Sequence, residues 1–517
     1  MSELIEPEEL KKKCPDVTLP TPDTRFSKLI RRIKWRTKWL FPNIFSNFFE
    51  SESTFSKEHD LRSNQESRVP DSEELRIQIV WGVEMYGPSE NELLCENLAR
   101  LNWTAGSGSS KRDDASEWVR RQRSYGHGGW YNVGIVSSPN DSHKYLFPTN
   151  ETKLPDNVDY LIVKIFQLTP ALTSIVIGFI LKEHISTIYE SELQKSRVGY
   201  NKRMERKSIL RISAEEIKNR DIINARQALR KIAQNWFHSH LPGYFCNSDI
   251  YRLPTAELIT TATNPLLPKE NTRRATSDRW RDIIALCSPY DTWHSSTGTG
   301  VSFTSRNGLK DDPAHLIICL CKEEVSDDAT KYRGKRSNRA FISHSADLMD
   351  GIISNFAAVG FLTEALKNLR VSRASLKMHK VSKDNGLLAI EKIQTFFDNS
   401  LGTPVVAAEL RNRSEHSSNF VHDCALFYSQ NWRPENPPRT ISQELCEHTN
   451  SLSNQVITED HSLREHLEQL SSIISVRESI KAQRKMEVLT IFALIVAIIS
   501  LGMATAQSLN YRPYKDN

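Results

Sequence analysis

Four short stretches of the sequence place reactive side chains close together. Arg411-Asn-Arg-Ser-Glu-His416 sets a guanidinium five residues ahead of an imidazole, a pair suited to acid–base chemistry beside a phosphate. His238-Ser-His240 offers two metal-ligating imidazoles. The sequence places no carboxylate or further His with them, so a helix end with satisfied histidines is the simpler reading. Cys319 and Cys321 lie in Leu316-Ile-Ile-Cys-Leu-Cys321, which reads as an apolar strand, and a metal or redox pair would need a second Cys/His pair nearby. Asn338-Arg-Ala-Phe-Ile-Ser-His-Ser345 puts an imidazole between two hydroxyls. The sequence contains no P-loop, no paired-glycine dinucleotide loop, no Gly-x-Ser-x-Gly elbow and no His-Glu-x-x-His, which argues against ATP- or serine-based chemistry. No cofactor is expected.

Two of these stretches resemble known families. The Arg411 to His416 segment resembles the Arg-polar-x-x-x-His motif of HEPN-type ribonucleases. That resemblance implies an RNA-cleaving pair in which His416 is the general base or acid and Arg411 holds the scissile phosphate, set in a mainly helical region. The octapeptide 338–345 is similar to the opening strand of TIR domains, although the acidic cluster of that family does not follow it.

The elements that must position these groups follow from pattern and punctuation. Leu75, Ile77 and Ile79 alternate with polar residues, as in a strand, after a Ser-, Glu- and Asn-rich linker at 50–72. Ser89 with Glu92 reads as a capping box for a helix to about Asn102; a loop follows at 104–114, then a helix at 115–123 and a strand at 131–137. Residues 160–181 are strongly apolar. Their β-branched content around Thr169-Pro170 suits two buried strands, and a second membrane span is the alternative. Seven basic residues between 195 and 211 read as a solvated face or a partner patch. Ser213 and Glu216 cap a helix whose apolar face includes Ile217, Leu229 and Trp236, stopped by Leu241-Pro242-Gly243. Strands are expected at 298–305 and 314–323, and helices at 345–369, 386–399 and 404–428.

From Ser442 to Lys485 there is no Pro or Gly, and Leu452, Val456, Leu463, Leu467, Leu470 and Ile474 form a helical seam. A seam needs a partner, either the chain's own body or a second copy, with a second copy preferred. The helix runs without a breaker into Val488–Ala506, nineteen uncharged residues of which ten are Val, Leu, Ile or Phe. At 1.5 Å per residue this spans about 28 Å, the thickness of a hydrocarbon core. Arg477, Lys481, Arg484 and Lys485 precede the span, so the positive-inside rule puts the large N-terminal part in the cytoplasm. The acidic N-terminus does not resemble a signal peptide, and the eight Cys are expected to be reduced thiols.

A second membrane element is expected near the other end. Arg25 to Phe41 carries seven basic residues and no acidic one, with Phe26, Leu29, Ile30 and Ile33 near one helical face. Lys28, Arg31, Arg32, Lys34, Trp35, Arg36, Lys38 and Trp39 suit the headgroup layer of an anionic bilayer. A helix docked on the chain's own core and a basic arm for nucleic acid are the alternatives.

Composition fits this picture. The 517 residues are 38% hydrophobic with mean hydropathy −0.48, which excludes a polytopic transporter. A net charge of only +5 disfavours a dedicated nucleic-acid binder. A soluble α/β body, a stalk helix and a span ending Gly502-Met503 resemble CorA-type divalent-cation channels over residues 440–504. In that family the span ends Gly-Met-Asn and a second span follows, whereas residue 504 here is Ala. The resemblance implies an oligomeric ion channel.

The expected fold is an α+β cytosolic body with a long C-terminal stalk helix continuing into a single transmembrane helix. Its parts are an arm at 1–72, an α/β region at 73–200, a mainly helical region at 201–430, the stalk at 440–486, the span at 488–506 and a tail at 507–517. The expected function is a tail-anchored sensor, scaffold or effector that self-associates through its stalk. A CorA-like channel or membrane-perturbing effector, and a HEPN-like RNA-cleaving enzyme, are the alternatives. Expected partners are the lipid bilayer, a second copy and an unidentified protein.

Overall fold

The structure is a computed structural model. It describes residues 54–105, 114–267, 280, 292–378 and 402–510, apart from gaps at 127, 142–148, 204–208, 248–252, 296–297, 306–314, 334–335, 425, 432 and 434. Strand 48–50 and scattered helical positions between 26 and 37 are also described. The chain divides into two compact units, residues 1–363 with 408–453, and residues 364–407 with 454–517.

The first unit begins with β1 (Phe48–Glu50), α1 (Thr54–Glu66), β2 (Leu75–Tyr86), α2 (Asn91–Leu101), α3 (Ala115–Tyr125), β3 (Gly129–Ser137) and β4 (Asn150–Glu151). Next come β5 (Val158–Thr169), β6 (Leu172–Leu181), α4 (Glu183–Gln194), β7 (Tyr200–Arg203), β8 (Ile209–Ile212), α5 (Ala214–His240) and β9 (Thr255–Thr261). After β10 (Thr292–Ser295), β11 (Thr299–Thr304), β12 (His315–Val325) and α6 (Asp327–Thr330), the long α7 (Asn338–Met378) starts in this unit and ends in the other. α8 (Thr403–His416) crosses between the units in the opposite sense, followed by α9 (Ser418–Cys424), β13 (Phe427–Ser429) and β14 (Arg439–Thr440). α10 (Ile441–Asn510) closes the described chain.

Eleven strands form one mixed sheet in the order β14-β13-β10-β11-β12-β9-β2-β6-β5-β3-β4. The pairs β12/β9 and β3/β4 are parallel and the others antiparallel. Strands β2, β6 and β9 at its centre are buried almost throughout, which explains why they read as near-continuous apolar runs rather than strict alternations. Two adjacent residues of β2 identify what covers each face. Gly82 lies against α5, where a Cβ would come within 2.9 Å of Phe237 and 3.1 Å of Ala233, so only glycine admits the helix this closely. Trp81 points the other way, its Nε1 donating to Asp350 of α7 at 3.1 Å. The sheet is therefore sandwiched between α5 and the first half of α7. A separate three-stranded sheet, β1-β7-β8, is entirely antiparallel.

The apolar run at 160–181 is a β-hairpin, β5 and β6 turning at Pro170-Ala171, as the β-branched content indicated. The Ser213 cap also forms, its hydroxyl accepting from Glu216 N at 3.1 Å.

Other expectations need correction. The linker at 50–72 contains α1, a polar helix held by tertiary contacts rather than an apolar stripe. Asp60 accepts from Gly199 N (2.9 Å) and Arg211 (3.1 Å), and Asn64 donates to Arg197 O. The Ser89 capping box is absent. α2 starts at Asn91, and Ser89 instead donates to Glu90, whose carboxylate also takes the Gly87 N–H. Helix α7 begins at Asn338, so the octapeptide 338–345 is helical and not an opening strand. The helix expected at 404–428 breaks at Ser417 into α8 and α9. The helix expected at 386–399 lies outside the described residues. Within the basic stretch 195–211, Arg197 pairs with Asp221 (2.7 Å) and Glu192 (2.9 Å), and Arg211 with Asp60, so these cations are engaged internally.

In the second unit, α7 and α10 lie side by side. Arg373 pairs with Glu459 at 2.7 Å and Arg370 donates to Gln455 at 3.1 Å, beside the buried Leu366, Leu369, Val456, Leu463 and Leu467.

Candidate functional site

Three places in the molecule merit weighing, and the first is an open pocket of about 410 Å³. Its size falls in the range usual for small-molecule sites. One wall is the tip of the β5–β6 hairpin, where Gln167 donates to Thr169 O (2.6 Å) and Leu172 O (3.3 Å) and accepts from Thr173 (2.9 Å). Another is the turn after α3. There Gly126 adopts φ 71° and caps the helix through its N–H to Gln122 O, a conformation that favours glycine. The turn delivers Trp130 on β3 opposite its cross-strand partner Phe166, and both line the pocket. Trp130 is 64% exposed.

The remaining wall comes from α8 and α9. Glu409, Asn412, Arg413 and His416 recur at the spacing of one helical face and all line the pocket. Glu409 accepts from Ala171 N at 2.9 Å, fastening the hairpin tip to α8. Arg413 donates to the buried Asn355 at 2.7 Å and lies 5.4 Å from the centre of the Phe420 ring, two contacts that fix its guanidinium plane. His416 is 3.2 Å from Asn412 O through Nδ1. A carbonyl only accepts, so Nδ1 carries the proton in the neutral ring and Nε2 is the basic nitrogen. His422 of α9 adds a second imidazole to the lining.

Of the RNA-cleaving pair expected from sequence, His416 lines this pocket and Arg411 does not. At 100° per residue, five positions on one helix separate two side chains by about 140° around the axis. Arg413, three positions from His416, shares its face instead. The stripe 409/412/413/416 was readable in the sequence as a helical period, but polar residues at that spacing read as a solvated face until the hairpin tip is known to cover them.

Electrostatics there are mixed. The negative end of α8 disfavours an anion by about 0.3–1 kcal/mol. A charge-assisted hydrogen bond from an arginine contributes about 1.5–3 kcal/mol, enough to outweigh it.

The second place is a sealed ionic cluster in the sheet. Glu257 on β9 pairs with Arg226 of α5, and both are essentially inaccessible. Arg230 donates to Thr255 Oγ1 (2.9 Å), which is 2.9 Å from His315 Nδ1, and His315 Nε2 lies 3.6 Å from Glu257. Burial alone would raise the Glu257 pKa, but Arg226 and His315 more than offset it and hold the carboxyl at about 2. Burial lowers His315 to about 4, so it is neutral at pH 7. With no route for a substrate, this cluster is a structural device that fixes the register of α5 on β9 and β12. The neighbouring Cys319 thiol is pushed far up by burial and is inert. His240 stacks on Trp236 with ring centres 4.5 Å apart and its Nδ1 donates to Trp236 O, the satisfied helix end expected of His238-Ser-His240. Among the described residues no group of three metal-ligating side chains occurs.

The third place is the far part of α10, the one described helix long and apolar enough to cross a membrane. Its apolar window has no buried residue. Near the other end, Phe26, Leu29, Ile30 and Ile33 are exposed, as is Arg32 beside them. Lys28, Arg31, Lys34, Trp35, Arg36, Lys38 and Trp39 lie outside the described residues.

No family model, curated protein or solved structure matches this chain.

Proposed function

We propose that the chain is a membrane-anchored protein in which residues 488–506 cross the bilayer and the α+β body acts in the cytoplasm as a sensor, scaffold or effector. The observation that carries this reading is the exposure of apolar side chains all round α10. Leu489, Phe492, Ile495, Ile498 and Leu501 stand at different azimuths and all are exposed. A soluble helix buries one apolar stripe, whereas a helix apolar on every side needs an apolar solvent. The cations at 477–485 orient the body to the cytoplasmic side. Self-association is assigned to Ile473, Val476 and Ile480, which are exposed, because Val456, Leu463 and Leu467 of the stalk seam are already occupied within the chain.

The test is extraction of the full chain expressed in cells. It is expected to resist alkaline carbonate and to dissolve only in detergent, with the body open to protease from the cytoplasmic side. Ile495→Arg places a cation at mid-span, costing about 2.5–3.5 kcal/mol of insertion, and is expected to shift much of the protein to the soluble fraction. Complete release of the unmodified chain by carbonate would refute the anchor.

A second reading, a CorA-like oligomeric channel, is favoured by the unbroken course of α10 from an α+β body into the apolar segment. Divalent-cation flux into liposomes carrying the chain, lost on deleting 488–517, would select it over the scaffold.

A further inference from the structure

We propose that the pocket beside the β5–β6 hairpin binds a nucleoside phosphate, its base stacked on Trp130, a ribose hydroxyl donating to His416 Nε2 and its phosphate held by Arg413. The inference rests on the pocket and not on the membrane reading. An exposed tryptophan lining a pocket of mixed polar and apolar character is a platform for a flat ring, since every nucleobase presents a π-face. The Asn412 carbonyl fixes the neutral His416 tautomer with Nε2 as an acceptor, which matches a sugar hydroxyl that must donate. Arg413 stands one helical turn away on the same face, its guanidinium held in one orientation by Asn355 and Phe420, which lowers the ordering cost of phosphate recognition.

Formal charge among the described lining residues is balanced, Arg413 being the one fixed cation, so the directed hydrogen bonds of its guanidinium favour an anion. Glu409 is the one carboxylate among the described lining residues, and it accepts the Ala171 N–H in a structural bond. An aliphatic ligand would strip water from Asn412, His416 and Asn419 without replacing their hydrogen bonds, a loss that polar ligands avoid. A free nucleotide and a nucleotide within single-stranded RNA present the same chemistry, and the pocket is open enough to receive either.

The test uses the full chain in detergent or nanodiscs, with the four nucleoside 5′-monophosphates titrated by calorimetry and a labelled single-stranded RNA hexamer followed by anisotropy. Saturable binding of at least one probe is expected. Trp130→Ala and His416→Ala, both at exposed positions, are each expected to weaken it tenfold or more, and Arg413→Gln by a similar factor. Arg411→Gln is expected to change it less than twofold. The unphosphorylated nucleoside is expected to bind at least tenfold more weakly than its monophosphate. Binding of monophosphates assigns the free nucleotide, and binding of the hexamer alone assigns RNA. If Arg413→Gln fails to fold, the Trp130 and His416 variants decide. Failure of every probe at millimolar concentration, affinity unmoved by Trp130→Ala, or equal binding of a phosphoserine peptide would each overturn the proposal.

Discussion

Two regions of this chain treat polarity in opposite ways. Around Glu257, charged groups are enclosed by the sheet and α5, with side-chain exposures of 0% for Glu257 and 1% for Arg226. Along the last third of α10, apolar groups face outward, and Leu501 is 69% exposed. In water either arrangement taken alone is costly. The body resolves its cost internally, each charge meeting an opposite charge or a hydrogen-bond partner. The α10 segment finds no such cover among the described residues, and the bilayer proposed above would supply it. The comparison teaches that the body's charges are satisfied within the fold, while the apolar side chains at the end of α10 have no cover among the described residues.

The strongest way to break that comparison is to remove one member of the enclosed pair. Glu257→Ala leaves Arg226 buried beside an empty acceptor, and loss of a single partner from a buried pair costs about 3–5 kcal/mol. Chemical denaturation of the detergent-solubilised chain, followed by a probe of the body, should register that loss. Replacing both partners by apolar residues of similar volume, Arg226→Met with Glu257→Leu, should recover most of it. If the double variant is as unstable as the single one, the cluster does more than satisfy itself.

A second prediction concerns protons rather than side chains. Glu84 is fully buried, and burial raises its pKa from 4.5 to about 7 although the backbone N–H groups of Phe245, Cys246 and Met85 oppose the shift. The folded state therefore binds a proton that the unfolded state releases. Its contribution is most favourable below pH 4.5 and falls away as pH rises from 4.5 to 7. Asp350, raised by burial to about 6 against the pull of Lys164, acts with the same sign. His315 acts oppositely. Its neutral folded form favours folding above pH 6.5, and that contribution is lost as pH falls from 6.5 through about 4. Comparing the unmodified chain with Glu84→Gln isolates the first group, since the other two are common to both. Between pH 7.5 and 4.5 the unmodified chain should gain roughly 3 kcal/mol relative to the variant. Parallel pH profiles would show that Glu84 is not held protonated.

How much of this was legible in the residues follows from what each feature depends on. The Ser213 cap, the β5–β6 hairpin and the apolar run of α10 rest on local pattern, and all three could be read. Helix α1 could not be, because Asp60 and Asn64 are held by residues more than 130 positions away. The octapeptide 338–345 reads as a strand by its local Phe-Ile-Ser, yet it starts a helix whose Phe341, Ile342 and Ser345 are all buried. The pocket was half legible. His416 is visible as a candidate, but its partner on the helix face is Arg413, and the hairpin tip and Trp130 arrive from residues roughly 250 and 290 positions earlier. The stalk seam's preferred partner, a second copy, needs correction for Val456, Leu463 and Leu467, which are buried within the chain itself, because the α7 residues that cover them lie far away in sequence.

The smallest expected effect lies within α10 itself. Leu467 and Leu501 sit on one helix, the first fully buried and the second exposed. Truncating a buried leucine to alanine costs about 2–5 kcal/mol through lost contacts and the cavity left behind. Truncating an exposed one away from any packed surface changes stability by less than about 0.5 kcal/mol. Leu501→Ala should therefore leave the denaturation midpoint in detergent where it is, while Leu467→Ala lowers it. A loss at Leu501 comparable to that at Leu467 would mean that the segment packs against protein. In that event the apolar run of α10 belongs to an interface between copies, and the contrast between the two regions becomes one between two kinds of protein core.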